Sequence, residues 1–201
     1  KAIFGLDPVL AGEIRIDGDK ASIASPRDAI DRGIYLVPED RKRSGLVLDL
    51  SVRENITLTD VSVFARLGII RQLREEAVAA AQARKLDIRT PGTSAKAGIL
   101  SGGNQQKVVL AKWLSMAPRL LIFDEPTRGI DVGAKSEIYR LMRELSDRGV
   151  GILMISSDME EVIGVSDRVA VMHEGRIAGL LGRAELSEQS ILSLAVGRSS
   201  N

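Results

Sequence analysis

The second half of the chain alternates short, uniformly apolar runs with amphipathic helical patterns, and this alternation restricts the fold more than any other feature. Leu120-Leu121-Ile122-Phe123 is apolar throughout and ends in Asp124-Glu125-Pro126. Lys135 to Leu145 follows, with Ile138, Leu141, Met142 and Leu145 at helical spacing, and Gly149 stops it. Gly151 to Ile155 reads as a second buried strand and Asp158 to Ile163 as a short helix. Strands that alternate with helices in this way predict an α/β fold with a parallel sheet at its core.

The flanks add smaller elements. Glu13 to Asp17 alternates polar and apolar residues and reads as a half-buried strand ended by Asp17-Gly18, which places an antiparallel edge region near the N-terminus. Ser25-Pro26 opens a short helix that Gly33 closes, and Ile34-Tyr35-Leu36-Val37 is a further buried strand. Pro38 to Gly45 reads as a polar, charged loop and Ser51 to Ile56 as a short capped helix. Arg71 to Leu86 is strongly helical, with Leu73, Ala77, Ala80 and Ala81 able to share one face, and Thr90-Pro91-Gly92 breaks it. No strand is expected inside Arg71 to Lys96, so the region 51–100 reads as a helical insertion within a single domain spanning residues 1–201. Arg168 to Met172 and Arg176 to Leu180 flank Glu174-Gly175 as an antiparallel hairpin, and Ser187 to Val196 is a final helix.

Composition removes several classes of function. Lys plus Arg total 28 and Asp plus Glu 27, a net charge of +1 that argues against nucleic acid held by bulk charge. There is no cysteine and one histidine, His173, so disulfides, thiolate metal sites and multi-histidine zinc sites are excluded. No apolar run approaches the roughly 18 residues that a membrane-spanning helix needs.

Two constellations carry chemistry. The first is the strand ending in Asp124-Glu125. It puts a carboxylate pair at a strand's C-terminal end, where open α/β sheets bind ligands. Asp124 suits Mg²⁺, held largely through water, and Glu125 suits orienting or deprotonating an attacking water. The second is Leu100-Ser101-Gly102-Gly103-Asn104-Gln105-Gln106-Lys107 leading into a helix. Two glycines at a helix start leave backbone N–H groups unshielded, and with the helix dipole and the Ser101 hydroxyl they suit a phosphate.

Together the two resemble the ATP-binding cassette (ABC) ATPase family, with Ser101 to Gln106 as its signature motif and Leu121 to Thr127 as its Walker B segment. The resemblance covers almost the whole chain. Tyr35 to Asp40 stands at the Q-loop, Gly129-Ile130-Asp131 at the D-loop, Ile152 to Asp158 at the switch segment, and Asp167 to Ile177 at the closing hairpin. Pro38 to Arg43, the Asn-Gln-Gln-Lys end of the signature and Thr127 to Lys135 resemble the second, C-terminal cassette of the fused double-ATPase subunit of bacterial monosaccharide importers. The resemblance implies a P-loop-NTPase-like parallel core, ATP and Mg²⁺ as ligands, and ATP hydrolysis that drives sugar import. Implied partners are a second cassette (a fused N-terminal half or another copy), transmembrane permease subunits and, indirectly, a periplasmic sugar-binding protein, with no nucleic acid. The implied location is peripheral, on the cytoplasmic face of the inner membrane. By residue, it implies Glu125 as catalytic, Asp124 and Glu39 at the metal, Asp131 in the D-loop and Ser157 at the switch. Ser101, Gly102, Gly103 and Gln105 would contact ATP bound to the partner cassette. The rival readings are a soluble ABC-type ATPase not tied to transport, and an inactive remnant or regulatory fragment.

The sequence departs from that family in three places. It holds no G-x-x-x-x-G-K-[ST] motif, and the expectation is a chain that begins just after its nucleotide cradle and first core strand, inactive in isolation. The Q-loop Gln is Glu39, a negative charge where a γ-phosphate would approach. The switch His is Ser157, which cannot supply a charge-assisted bond worth about 1.5–3 kcal/mol. These changes imply that the chain's own ATP site is degenerate while its signature is complete. The run Arg41-Lys42-Arg43 reads either as a solvated loop or as a surface meeting the membrane subunit. Trp113 reads as core, and His173 as a solvent-exposed turn residue.

Overall fold

The computed structural model describes residues 1–66 and 69–197, and the chain divides into two units, Lys1–Ile155 and Ser156–Asn201. The expected insertion therefore includes two residues, and the expected domain four more at its end, that lie outside the described ones.

In the first unit, β1 (Ile14–Ile16) and β2 (Asp19–Ala21) pair antiparallel across Asp17-Gly18, two residues with φ of 54° and 90° that make the tight turn. Helix α1 (Pro26–Ile30) starts on a capping box: Ser25 accepts the Asp28 N–H, and Asp28 accepts the Ser25 N–H. The Ser25 hydroxyl and the surrounding N–H groups hold the Asp28 carboxyl below its ordinary range. Strand β3 (Ile34–Val37) follows and is buried at all four positions. The segment after it, expected as a polar, charged loop, contains a wide helical turn over Arg41–Gly45. Asp40 causes it, because its carboxylate accepts the N–H groups of Lys42 (3.0 Å) and Arg43 (3.1 Å) and so closes the chain on itself.

A mostly helical stretch comes next. Helix α2 (Val52–Thr57) begins on a Ser51–Glu54 capping box, and α3 (Val61–Phe64) leads into a two-residue antiparallel pair, β4 (Ala65–Arg66) and β5 (Ile69–Ile70). Helix α4 (Gln72–Lys85) packs on α2, but not through the expected face. Leu73 is 90% exposed, and Glu75, Ala79 and Ala83 are the buried residues. The reason is polar: the Glu75 carboxylate accepts the Thr57 hydroxyl at 2.6 Å and pairs with Arg53 at 3.3 Å, which turns that side of the helix inward.

The core of this unit is a parallel sheet of three strands in the order β3, β6 (Leu120–Asp124), β7 (Gly151–Ile155), linked by α5 (Gly102–Leu114) and α6 (Val132–Asp147). Val37 lies opposite Phe123 and Phe123 opposite Met154, so the C-terminal ends of all three strands are level. Leu121, Ile122 and Phe123 of the central strand are buried, as their pattern predicts. Helix α5 is buried from Gln105 to Trp113. Trp113 is core: its indole stacks on Tyr35 at 4.9 Å, and its N–H donates to the Leu36 carbonyl at 2.9 Å. The Tyr35 hydroxyl donates to the Met116 carbonyl at 2.9 Å, and burial pushes its phenol pKa up. Helix α6 presents Ile138, Met142 and Leu145 to the core, as expected, but begins before Lys135 because Asp131 caps it. Strand β7 is not buried as expected. Its residues alternate, with Gly151, Leu153 and Ile155 exposed and Ile152 and Met154 half-buried, so one face of the strand is open to solvent.

The second unit holds α7 (Met159–Val165), the hairpin β8 (Arg168–His173) with β9 (Arg176–Gly182), and α8 (Glu188–Ala195) packed on it. The turn is Glu174-Gly175, with φ of 46° and 76°. His173 is the last residue of β8, half-buried, and its Nδ1 meets the Ala195 carbonyl at 2.7 Å. It ties α8 to the hairpin and is not a free turn residue.

The chain is therefore α/β, with one parallel sheet and separate antiparallel strand pairs.

Candidate functional site

The chemistry-bearing residues of the first unit gather at the C-terminal ends of the parallel strands. Asp124 ends central strand β6. Glu125 follows with φ of 48°, a left-handed conformation that is uncommon for a residue with a side chain. Its N–H donates to the Ile155 carbonyl at 2.9 Å, which fixes the backbone there and swings the chain out of the sheet. Such a bend holds the two carboxyl groups at the sheet's rim, each half-buried. Thr127 is buried, and the Arg128 N–H donates to the Glu125 carbonyl at 3.2 Å, closing the turn that leads to Gly129.

The signature residues stand at the start of α5. Ser101 is the N-cap, and its hydroxyl accepts from the Asn104 side-chain amide at 2.9 Å. Gly102 and Gly103 are the first two helical positions, whose N–H groups have no carbonyl partner within the helix. Packing also excludes a side chain at Gly103, and at Gly102 a side chain would have to displace the end of Arg41. A Cβ on Gly103 would stand 2.6 Å from the Ala134 Cβ, and one on Gly102 would stand 2.5 Å from the Arg41 guanidinium. The start of α5 therefore lies against the start of α6, where Asp131 caps the helix by accepting the Ala134 N–H at 3.0 Å. Lys107 on α5 adds a tie to α6: its ammonium is 2.6 Å from Glu137, which holds that carboxyl below its usual range.

Gln105 differs from its neighbours. It is buried, and its amide is engaged inside the chain, donating to the Ala97 carbonyl at 3.2 Å and accepting from Arg41 Nε at 3.4 Å. Glu39, two residues beyond β3, pairs with Arg128. An open recess of about 300 Å³ lies here, lined by Glu39, Asp40, Arg41, Lys42 and Arg128. The basic run thus splits: Lys42 and Arg43 are exposed, while Arg41 turns inward. No local pattern in the sequence marks these contacts, because the partners of Arg41 lie far along the chain. Ser157 belongs to the second unit and is exposed; the neighbouring Ser156 hydroxyl donates to Glu161.

Among the described residues, no group of three or more His, Cys, Asp or Glu forms a self-sufficient metal cage. Mg²⁺ in a phosphate site needs only one or two carboxylates, the remaining positions being water and phosphate oxygens. Asp124 at the strand end fits that requirement. The Glu39 carboxylate is committed to Arg128.

Comparison with known proteins bears on this site. The family described as ABC transporter matches the chain over residues 1–128. The ribose import ATP-binding protein RbsA of Bacillus licheniformis is 50% identical over 197 residues, and that of Oceanobacillus iheyensis is 51% identical over 197; each match covers 98% of this chain. The chain spans 40% of the length of these relatives. Among solved structures, the ADP conformation of an ATP-binding cassette of an ABC transporter superimposes with a TM-score of 0.77 at 21% identity, covering 98% of this chain and 81% of that one. A dimeric cassette in a post-hydrolysis state bound to ADP and Pi gives 0.73 at 22% identity, covering 90% of this chain and 78% of that one.

Proposed function

The chain belongs to the ABC transporter family, and on that premise we propose that it is an ATP-hydrolysing cassette of a bacterial monosaccharide importer. The observation that carries this reading is the identity of about one residue in two, across nearly the whole chain, with proteins named ribose import ATP-binding protein. In this reading residues 1–201 are the C-terminal cassette of a fused double-ATPase subunit, with a helical insertion at 51–100. It sits on the inner face of the membrane beneath transmembrane permease subunits that receive sugar from a binding protein.

Two cassettes then share each ATP. The N–H groups of Gly102 and Gly103, with the Ser101 hydroxyl, face the phosphates of ATP held by the partner, where a helix N-terminus favours negative charge. Asp131 beside them shapes the same edge. Gln105 supports that edge from within rather than touching the nucleotide. In this chain's own site Glu125 orients the attacking water and Asp124 binds Mg²⁺, which neutralises phosphate charge. That site is weak by its chemistry. Glu39 replaces the family's Q-loop Gln with a carboxylate paired to Arg128, and the switch position holds Ser157, a neutral hydroxyl that binds phosphate more weakly than a cationic donor. The partner cassette therefore carries most of the hydrolysis.

The test is a pair of substitutions in the full-length subunit, assayed as ATPase rate in membranes. Gly102→Asp adds negative charge at the helix start and, because a Cβ there would stand 2.5 Å from Arg41 Nη2, displaces that guanidinium, and it lowers the rate by about 100-fold or more. Glu125→Gln costs less than about tenfold, because its water lies in the weaker site. Equal damage from the two would show equivalent sites and end the asymmetric reading.

A further inference from the structure

Arg41 joins three segments that are remote in sequence. Its Nη1 donates to the Arg128 carbonyl at 3.1 Å, its Nη2 to the Gly129 carbonyl at 3.3 Å, and its Nε to Gln105 Oε1 at 3.4 Å. These partners lie 87, 88 and 64 residues away. The side chain is half-buried, and loss of water around it pulls its pKa down, with Asp40 opposing. The planar fork of a guanidinium can satisfy two carbonyls and an amide oxygen at once, and a lysine ammonium cannot match that geometry.

Each partner belongs to the edge offered to a second cassette. The Arg128 and Gly129 carbonyls form the turn that delivers Asp131 to the start of α6. Gln105 lies on the first turns of α5, just behind Ser101 to Gly103. Gly102 lacks a Cβ where Arg41 Nη2 would meet it at 2.5 Å, so the guanidinium fills the space behind the signature glycines. Arg41 itself opens the wide turn after Glu39, which Lys112 anchors at the other end by donating to the Gly45 carbonyl at 2.7 Å.

We propose that Arg41 is a positioning residue that locks the signature helix start and the Arg128–Gly129 turn together, holding Ser101, Gly102, Gly103 and Asp131 as one preformed edge. The inference deepens the reading above and rests on its assignment of the signature to the partner's ATP. A preformed edge matters because a misplacement of about 1 Å can cost roughly 100-fold in rate. Loss of Arg41 therefore acts on the assembled transition state more than on ATP capture.

The experiment uses the full-length subunit assembled with its permease in membranes. Arg41→Ala lowers kcat by about 10- to 100-fold while KM for ATP changes by less than about threefold, and the melting temperature stays near the wild type. Arg41→Lys, which keeps the charge but not the fork, recovers only part of kcat. Gly102→Ala lowers kcat in the wild type and costs less in the Arg41→Ala background, where the 2.5 Å clash is gone and the Gly129 carbonyl at 3.1 Å remains. A kcat within about twofold of wild type for Arg41→Ala would overturn the proposal. So would full rescue by lysine, strict additivity with Gly102→Ala, or a kcat loss matched by lost melting temperature. Gly102→Asp in parallel separates the levels: if it leaves ATPase intact, the assignment of the signature to the partner's ATP is wrong, and this inference falls with it.

Discussion

Lys112 shows what one buried charge does in this fold. It is buried on α5, donates to the Gly45 carbonyl at 2.7 Å, and lies 4.9 Å from the centre of the Trp113 ring. Burial pulls its pKa from 10.5 to about 8. In the unfolded chain the group keeps its proton up to about 10.4. Between those values the unfolded state binds more protons than the folded one, so stability rises with pH across that window. Below about 8 both states are protonated and the cost of burying the charge is constant. The melting temperature of wild type minus that of Lys112→Met in the full-length subunit should therefore increase as pH is raised from 7.5 to about 10. A difference that stays flat would mean that Lys112 keeps its proton through the window. By contrast, Glu39 and Arg128 pair at the surface, where an ion pair is worth at most about 1 kcal/mol. That pair orients Glu39 without stabilising the fold appreciably.

Elements were legible in the sequence wherever their signal was local. Ser25 and Ser51 announce their helices because an N-cap hydroxyl with an acid three residues on satisfies the first N–H groups in place. The inward face of α6 was readable because Ile138, Met142 and Leu145 contrast with charged neighbours. The face of α4 was not, because its alanines fit inside or outside and its deciding contact is a carboxylate meeting Thr57 and Arg53 on another helix. This gives a direct test of packing. Leu73→Ser should change stability by less than about 0.5 kcal/mol, whereas Ala79→Leu, overpacking a fully buried site, should cost about 1–3 kcal/mol in denaturant unfolding. Equal effects would show that α4 packs through the face its sequence suggested. The site divides in the same way. The strand end at Asp124-Glu125 and the glycines after Ser101 were visible as short motifs. The links from Arg41 to Arg128, Gly129 and Gln105 span 64 residues or more, and no local pattern encodes them.

At the scale of the molecule the parallel sheet has two unlike edges. Strand β3 is buried at every position, covered by Trp113 and Phe4. Strand β7 is an edge whose Leu153 and Ile155 are 38% and 45% exposed. Parallel strands are ordinarily covered on both faces, because their uniformly apolar side chains gain by leaving water on both sides. An open strand edge beside exposed apolar side chains is a template for pairing with another chain. The 201-residue polypeptide made alone should therefore self-associate, and replacing Leu153 with Lys should reduce that association, since a charge on an edge strand penalises pairing. It should also hydrolyse ATP at no more than trace rates, because these residues contain no Gly-rich phosphate cradle of the G-x-x-x-x-G-K-[ST] kind. The two expectations are independent, and one preparation tests both. Light scattering at high concentration reads association, and phosphate release reads turnover. A monodisperse monomer would show that the β7 edge is protected in solution. Turnover abolished by Glu125→Gln would show that the carboxylate pair works without that cradle.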